Sequence, residues 1–504
     1  MTEYFDLSPL FRGISISMFL NNLAQFIYLI SREIILYNWL DNLDAANFII
    51  YFAVCQLFTT FIIFNPYILP NIYAEIGEKR VMIANRTLIL ILLPNYLIVI
   101  IILGFFLLTG INFNLNLDSG NFLFLFFISI IILIISLGSI TESILYGLKK
   151  PMGVGISKIT FALSFFIMLM ISIFLNIINF YIAIIIFLGS NLTSLIYSFF
   201  YYKKQIRIIG SENINQYFDL SIAKRIIILG FPLFLSGIFR IFRFNIFPIF
   251  LGGISGNYSI YFHLSTTLVI YLVSLIELPI AQNIQPYFAS FFKKGNISQI
   301  KMIYRYMISL IVVLIISIAL LFYGLLPLFL KIVYSKYYST ELVYIFKITI
   351  IGCIFFSLNI LYGKIILSKG KTYILLINQF LGAIIAVIFL YLTLITNEII
   401  FSALGFSSSF AFICLSNCFI SKKYIKLSLK EIKIIPILLT SFISIFIYEL
   451  FLMLSQNIYL SSIISLICFF VFCFIFRIIT INFLKNFLKI LKNFLINANR
   501  KNLL

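Results

Sequence analysis

The sequence predicts an all-α polytopic membrane protein of about fourteen transmembrane helices, arranged as two pseudo-symmetric six-helix lobes plus a C-terminal helix pair. Three observations carry that prediction. Of 504 residues, 62% are hydrophobic and only 10% charged, against roughly 25% charged in a soluble domain. Apolar runs of about 20 residues, each long enough to cross a hydrocarbon core of about 30 Å, recur along the chain. The basic residues gather in every second gap between these runs. Lipid admits only segments whose backbone polar groups are satisfied internally, so the continuous, non-alternating runs are helices and not barrel strands.

The candidate spans lie at 13–37, 46–70, 88–109, 121–146, 154–175 and 178–201, then at 226–250, 259–281, 304–328, 342–367, 373–395, 398–420, 434–455 and 459–481. Gaps after odd-numbered spans carry almost no positive charge; they hold Asp41, Asp44, Asp118 and Glu398. Gaps after even-numbered spans are basic, as in Lys79–Arg80, Lys149–Lys150, Lys203–Lys204, Lys293–Lys294, Lys369–Lys371 and Lys422–Lys423. The positive-inside rule places these gaps and both termini in the cytoplasm. Lys331 and Lys336, in the outer gap 329–341, depart from the pattern. The net charge of +20 is thus mainly a topology signal. It does not mark a nucleic-acid surface, which would gather basic residues on one folded face.

Residues 1–201 are expected to form an N-terminal lobe, 202–224 a cytoplasmic linker and 225–420 a second lobe. Residues 421–481 hold the last two spans, and 482–504 a tail. The second and eighth spans both end with two prolines and then a glycine in a charged stretch, NPYILPNIYAEIGEKR and ELPIAQNIQPYFASFFKKGN. Paired helix interruptions of this kind are common in secondary transporters. In the tail, Leu484, Phe487, Leu488, Leu491, Phe494 and Leu495 share one helical face flanked by lysines, which suits an anionic membrane surface. The acidic N-terminus is unlike a signal peptide, so the first span is read as a retained helix. All six cysteines fall inside spans without C-x-x-C spacing and are expected to pack rather than bind metal or form disulfides. No P-loop occurs, and no His/Cys/carboxylate cluster has metal spacing. No cofactor and no enzymatic activity are expected; a membrane-embedded glycan polymerase or ligase would generally show a large external loop, and none is present.

Polar residues within spans are costly in lipid and point to function. Ser17, Asn21, Gln25, Tyr28 and Arg32 form one stripe in the first span; Pro232, Ser236, Arg240 and Arg243 form another in the seventh. Shifting the first by 215 residues lays Asn21 on Ser236 and Gln25 on Arg240. His263, Thr267, Ser274 and Glu277 follow on the eighth span. The bland alternatives stay open. Arg32 could snorkel beside Glu33, Lys347 could reach the outer interface, Arg240 and Arg243 could pair with a distant acid, and His263 could be a packing residue. Glu142 and Glu277, near cytoplasmic helix ends, are candidates for ion coupling or gating.

LGFPLFLSGIFRIFRFNIFPIFLGGISGNYSIYFHLSTTL resembles the seventh and eighth helices of the oligosaccharide-lipid branch of the MATE/MOP exporter superfamily. LKIVYSKYYSTELVYIFKI and LSKGKTYILLINQ resemble its ninth-to-eleventh-helix region. The resemblance covers most of the chain through diffuse patterns, and the basic residue usual after the second helix's glycine is displaced to EKR. It implies a Wzx-type flippase carrying undecaprenyl-pyrophosphate-linked oligosaccharide, a precursor of O-antigen, capsule or exopolysaccharide, between leaflets by alternating access. Arg240 and Arg243 would hold the pyrophosphate, aided by Arg32 or Lys347. Asn21, Gln25, Ser236 and His263 would meet sugar hydroxyls, and the last two helices would flank the lipid tail. Membrane lipids and the pathway's polymerase and glycosyltransferases would be its partners, and the protein would be a monomer. A lipid II flippase, a MATE-type drug or cation antiporter and a non-transporting scaffold are the alternatives.

Overall fold

The computed structural model describes residues 8–36, 69–76, 121–148, 150–209, 219–241, 256–276, 281–334, 338–427 and 433–480, with isolated positions between these stretches. Every regular element among the described residues is helical. In chain order these are α1 (Ser8–Leu29, continued by a π-helical segment Ile30–Leu36), α2 (Leu69–Ile76), α3 (Asn121–Gly147), α4 (Pro151–Phe174) and α5 (Phe180–Ile209). Then come α6 (Leu220–Ile241), α7 (Gly256–Ile276), α8 (Gln282–Lys293), α9 (Ile297–Ile311) and α10 (Ser317–Val333). Last are α11 (Thr340–Ser368), α12 (Thr372–Thr396), α13 (Ile400–Ile425), α14 (Ile434–Ser455) and α15 (Ile458–Ile475).

Among the described residues, ten helices are long and apolar enough to cross a membrane, with α9 and α10 joined into one by the π turn Val312–Ile316. They correspond to ten of the fourteen expected spans. Of the other four, 13–37 and 259–281 coincide largely with helices α1 and α7, while 46–70 and 88–109 are described only in part. Helix ends follow local chemistry. Asp219 Oδ1 accepts from the amides of Ser221 and Ile222 at the start of α6. Ser339 and Asn457 cap α11 and α15 by accepting from the third amide onward, both at 3.1 Å. Pro151 occupies the first turn of α4, where its missing N–H costs nothing. Gly370, with φ +75°, turns the chain between α11 and α12, a conformation a side chain would strain.

The helices pack in two sets. In the first, α1 lies against α4, α4 against α5, and α3 against α5, around Leu36, Phe48, Tyr51, Ile128, Phe165 and Phe187. In the second, α11 packs against α13 and α7, α13 against α12, and α12 against α6. Its core is rich in stacked and edge-on phenylalanines, with Phe356 and Phe410 at 4.5 Å and Phe247 and Phe262 at 4.9 Å. The pair α14–α15 packs against α10. The two sets meet through α1 on α7 and α2 on α8, and through a third apolar cluster that joins Leu69, Ile72 and Ile140 to Ile226, Leu233 and Ile366. Asn71 Nδ2 donates to the Leu367 carbonyl across this seam at 2.6 Å.

Candidate functional site

The polar stripe on α1 faces two environments. Asn21 is fully buried. Gln25 accepts a hydrogen bond from Ser274 of α7 at 2.9 Å, so its partner lies on the eighth expected span and not on the stripe of the seventh. Arg32 is 4% exposed. Its guanidinium lies 5.2 Å from the Tyr28 ring centroid and 5.8 Å from that of Tyr271 on α7, and Nη1 donates to the Tyr28 hydroxyl. Arg32 thus sits between aromatic rings at the seam of the two helix sets, where cation–π attraction offsets part of its desolvation.

Behind Gln25 and Tyr28 opens a cavity of about 320 Å³ within the first helix set, bounded by α1, α3, α4 and α5. Glu142 on α3 and Lys158 on α4 form an ion pair across it, Nζ to Oε2 3.3 Å, with each side chain 25% exposed. Phe161, Asn191 and Ser194 complete the walls that matter chemically. Glu142 was expected from the sequence. Lys158 was not, because it lies near the basic end of its span and blends with Lys149 and Lys150. Glu277, the second candidate for coupling, lies outside the described residues.

The two arginines of α6 are separated by their surroundings. Arg240, in the last turn, is exposed. Arg243, just beyond α6, is fully buried in the second helix set. Its Nη2 donates to Gln379 Oε1 on α12, and its guanidinium lies 4.7 Å from the Phe410 ring centroid on α13. Nε and Nη1 have no hydrogen-bond partner among the described residues, and no carboxylate pairs with the charge there. Gly382 lets α12 come close: a Cβ there would meet Arg243 Nη1 at 3.4 Å and the Ile413 side chain at 2.4 Å. Ser236 and His263 are both half-buried, on α6 and α7.

Lys347 has a different setting. It donates to Glu449 Oε1 on α14 at 2.7 Å, and Tyr323 of α10 donates to the same oxygen at 2.8 Å. Lys347 is thus tied into a cross-helix ion pair, its own side chain 13% exposed and that of Glu449 39%. Three polar features escaped the sequence reading. Lys364 donates to Gln285 at 2.9 Å. Gln379 receives Arg243. Asn359, Asn378 and Asn417 link α11, α12 and α13 through hydrogen bonds of 2.6 and 2.7 Å. A polar residue every few turns on otherwise apolar helices was the available signal for all of them.

No family model matches the sequence, and no curated protein is detectably similar to it. Solved structures are. A MATE transporter of Vibrio cholerae superposes with a TM-score of 0.66 at 13% identity, covering 83% of this chain and 96% of its own. A multidrug resistance MATE family transporter in an outward-facing conformation gives 0.67 at 15%, covering 84% and 97%. A MOP superfamily transporter of Pyrococcus furiosus gives 0.67 at 16%, covering 84% and 96%. At such identities the likeness is one of architecture. This multi-pass helical chain has the fold of the MATE/MOP superfamily transporters.

Proposed function

We propose that the protein is a transporter working by alternating access, and that its cargo is an oligosaccharide carried on a polyprenyl pyrophosphate. The observation that carries the reading is Arg243, a fully buried guanidinium without a carboxylate partner among the described residues. A buried cation is expensive unless an anion compensates it. The unpartnered donors on Nε and Nη1, beside an exposed Arg240, suit phosphate oxygens, to which guanidinium groups make charge-assisted hydrogen bonds. A pyrophosphate cannot cross bare hydrocarbon, so a cationic relay inside a two-set helix bundle is the chemistry such a cargo requires. Arg243 is covered in this conformation, and the cargo reaches it when α12 and α13 shift relative to α6.

The fold admits pockets of different polarity: the Pyrococcus furiosus transporter is described as having a binding pocket of reversed polarity that suggests a different function. A drug or cation antiporter is the second reading, favoured by the Glu142 carboxylate in the cavity. Lys158, 3.3 Å away, already compensates that carboxylate, which makes an organic cation the weaker guest. The reading sets the protein in a bacterial inner membrane, with both termini on the cytoplasmic side that the basic gaps favour. Energy would come from an ion gradient acting through Glu142 or from consumption of the delivered cargo.

The test is translocation in proteoliposomes, using a fluorescent polyprenyl-pyrophosphate-linked disaccharide and a reducing quencher outside. The wild-type protein flips it, and R240A/R243A lowers the rate at least tenfold while inserting normally. Wild-type rates in the double variant would remove the two arginines from the mechanism. Proton-driven uptake of tetraethylammonium, with no flipping, would establish the second reading instead.

A further inference from the structure

The cavity between α1, α3, α4 and α5 lies in the helix set that does not hold Arg243, and the pyrophosphate reading leaves it unused. We infer that it is a subsite for one uncharged, hydroxyl-rich sugar ring. The inference rests on the flippase reading for its purpose but not for its chemistry. The volume, about 320 Å³, lies at the small end of the roughly 300–1,000 Å³ range of small-molecule sites. That is room for a single ring and not for a chain of them.

The lining fits such a ring in three respects. The Glu142–Lys158 pair at 3.3 Å leaves the site without net charge. It therefore disfavours phosphates and organic cations while still offering strong donors and acceptors. The amide groups are half used. Gln25 spends its oxygen on Ser274, leaving its NH₂ to donate; Asn191 spends its NH₂ on the Phe187 carbonyl at 2.8 Å, leaving its oxygen to accept. Alternating donors and acceptors on planar groups match the hydroxyls of a sugar. Tyr28 and Phe161, ring centroids 5.0 Å apart, form an aromatic wall for the ring's C–H face. Gln25 also ties the cavity to α7 of the other set, so an occupied subsite bears directly on the seam between them.

Gly138 gives a clean test. It lines the cavity, and a Cβ added there meets no atom within 4 Å. Gly138→Leu therefore meets no clash at its Cβ, takes up space in the cavity and favours the helix. Purified protein in nanodiscs would be studied by saturation-transfer NMR with three probes: methyl glucoside, methyl N-acetylglucosaminide and tetraethylammonium. Saturation of a glycoside by the wild type, reduced at least fivefold by Gly138→Leu and by Asn191→Leu at unchanged melting temperature, supports the subsite. As a control, a ring lacking hydroxyls, tetrahydropyran, stays unsaturated because a site built around hydroxyls rejects the analogue without them. No glycoside saturation in the wild type, or saturation that Gly138→Leu leaves intact, overturns the inference. So does saturation of tetraethylammonium that Gly138→Leu abolishes. The flipping assay is read separately: flipping without glycoside binding leaves the transport proposal standing, and binding without flipping leaves only the subsite.

Discussion

Arg243 invites a separation of stability from function at a single residue. Its charge is buried, held by one amide oxygen and one ring face, with Nε and Nη1 left without a hydrogen-bond partner among the described residues. Leaving a buried donor unsatisfied costs about 1–3 kcal/mol, more for a charged group. Even a buried ion pair can often be replaced by apolar residues of similar volume with a neutral effect or a gain of about 1–4 kcal/mol, and Arg243 lacks the compensating partner of such a pair among the described residues. Arg243→Met is therefore expected to hold or raise the melting temperature in detergent while abolishing cargo flipping. A melting temperature several degrees lower would mean that the guanidinium is a structural strut. Arg32 should behave differently. It has two aromatic partners and a hydroxyl, and its removal opens the α1–α7 seam.

At the scale of elements, the docking of α14 and α15 depends on groups far apart in sequence. Lys347 and Glu449 are separated by 102 positions, so neither residue alone disclosed its partner. Around them Lys347 Nζ lies 5.1 and 5.3 Å from the Tyr323 and Tyr448 ring centroids. Tyr448 donates to the Gly324 carbonyl at 3.0 Å, and a Cβ at Gly324 would meet Ser462 Oγ at 2.3 Å. The helix pair is thus seated by a close approach at Gly324 and tied by one ion pair. Removing one partner of a fully buried pair costs about 3–5 kcal/mol. Glu449 is 39% exposed at its side chain and Lys347 13%, so Glu449→Ala should cost less, about 1–2 kcal/mol. Thermal melting should show that loss, and the swap K347E/E449K should recover at least half of it. No recovery would mean that Glu449 acts through Tyr323 alone. The elements themselves were legible because hydropathy and charge alternate over lengths the bilayer dictates. What ties them together was not, because hydrogen bonds such as Asn378–Asn417 and Arg243–Gln379 join residues 39 and 136 positions apart.

At the scale of the molecule, the sequence paired the polar stripe of α1 with that of α6, whereas the polar contact the structure shows is with α7, through Gln25 and Ser274. The sequence could not say which end of the seam is shut. The apolar cluster around Ile72, Ile140, Ile226 and Ile366 lies at helix ends that border basic gaps, which the positive-inside rule assigns to the cytoplasm. The Asn71–Leu367 hydrogen bond reinforces it from α2 to α11, and Lys364 and Ser368 of α11 bond Gln285 of α8. Alternating access requires this seal to part, since a cargo loaded from the inner leaflet must enter between the sets. Holding the seal shut should therefore stop transport without unfolding the protein. Asn71→Cys and Leu367→Cys, joined by a short bis-methanethiosulfonate reagent that forms a disulfide with each thiol and releases methanesulfinate, provide the lock. The background is low because five of the six native cysteines are buried and Cys468 is only partly exposed. Flipping should fall at least tenfold on cross-linking with a cleavable reagent and return on reduction, while either single substitution remains active. Full activity in the cross-linked protein would mean that the sets do not separate here, and that cargo passes by a route other than this seam.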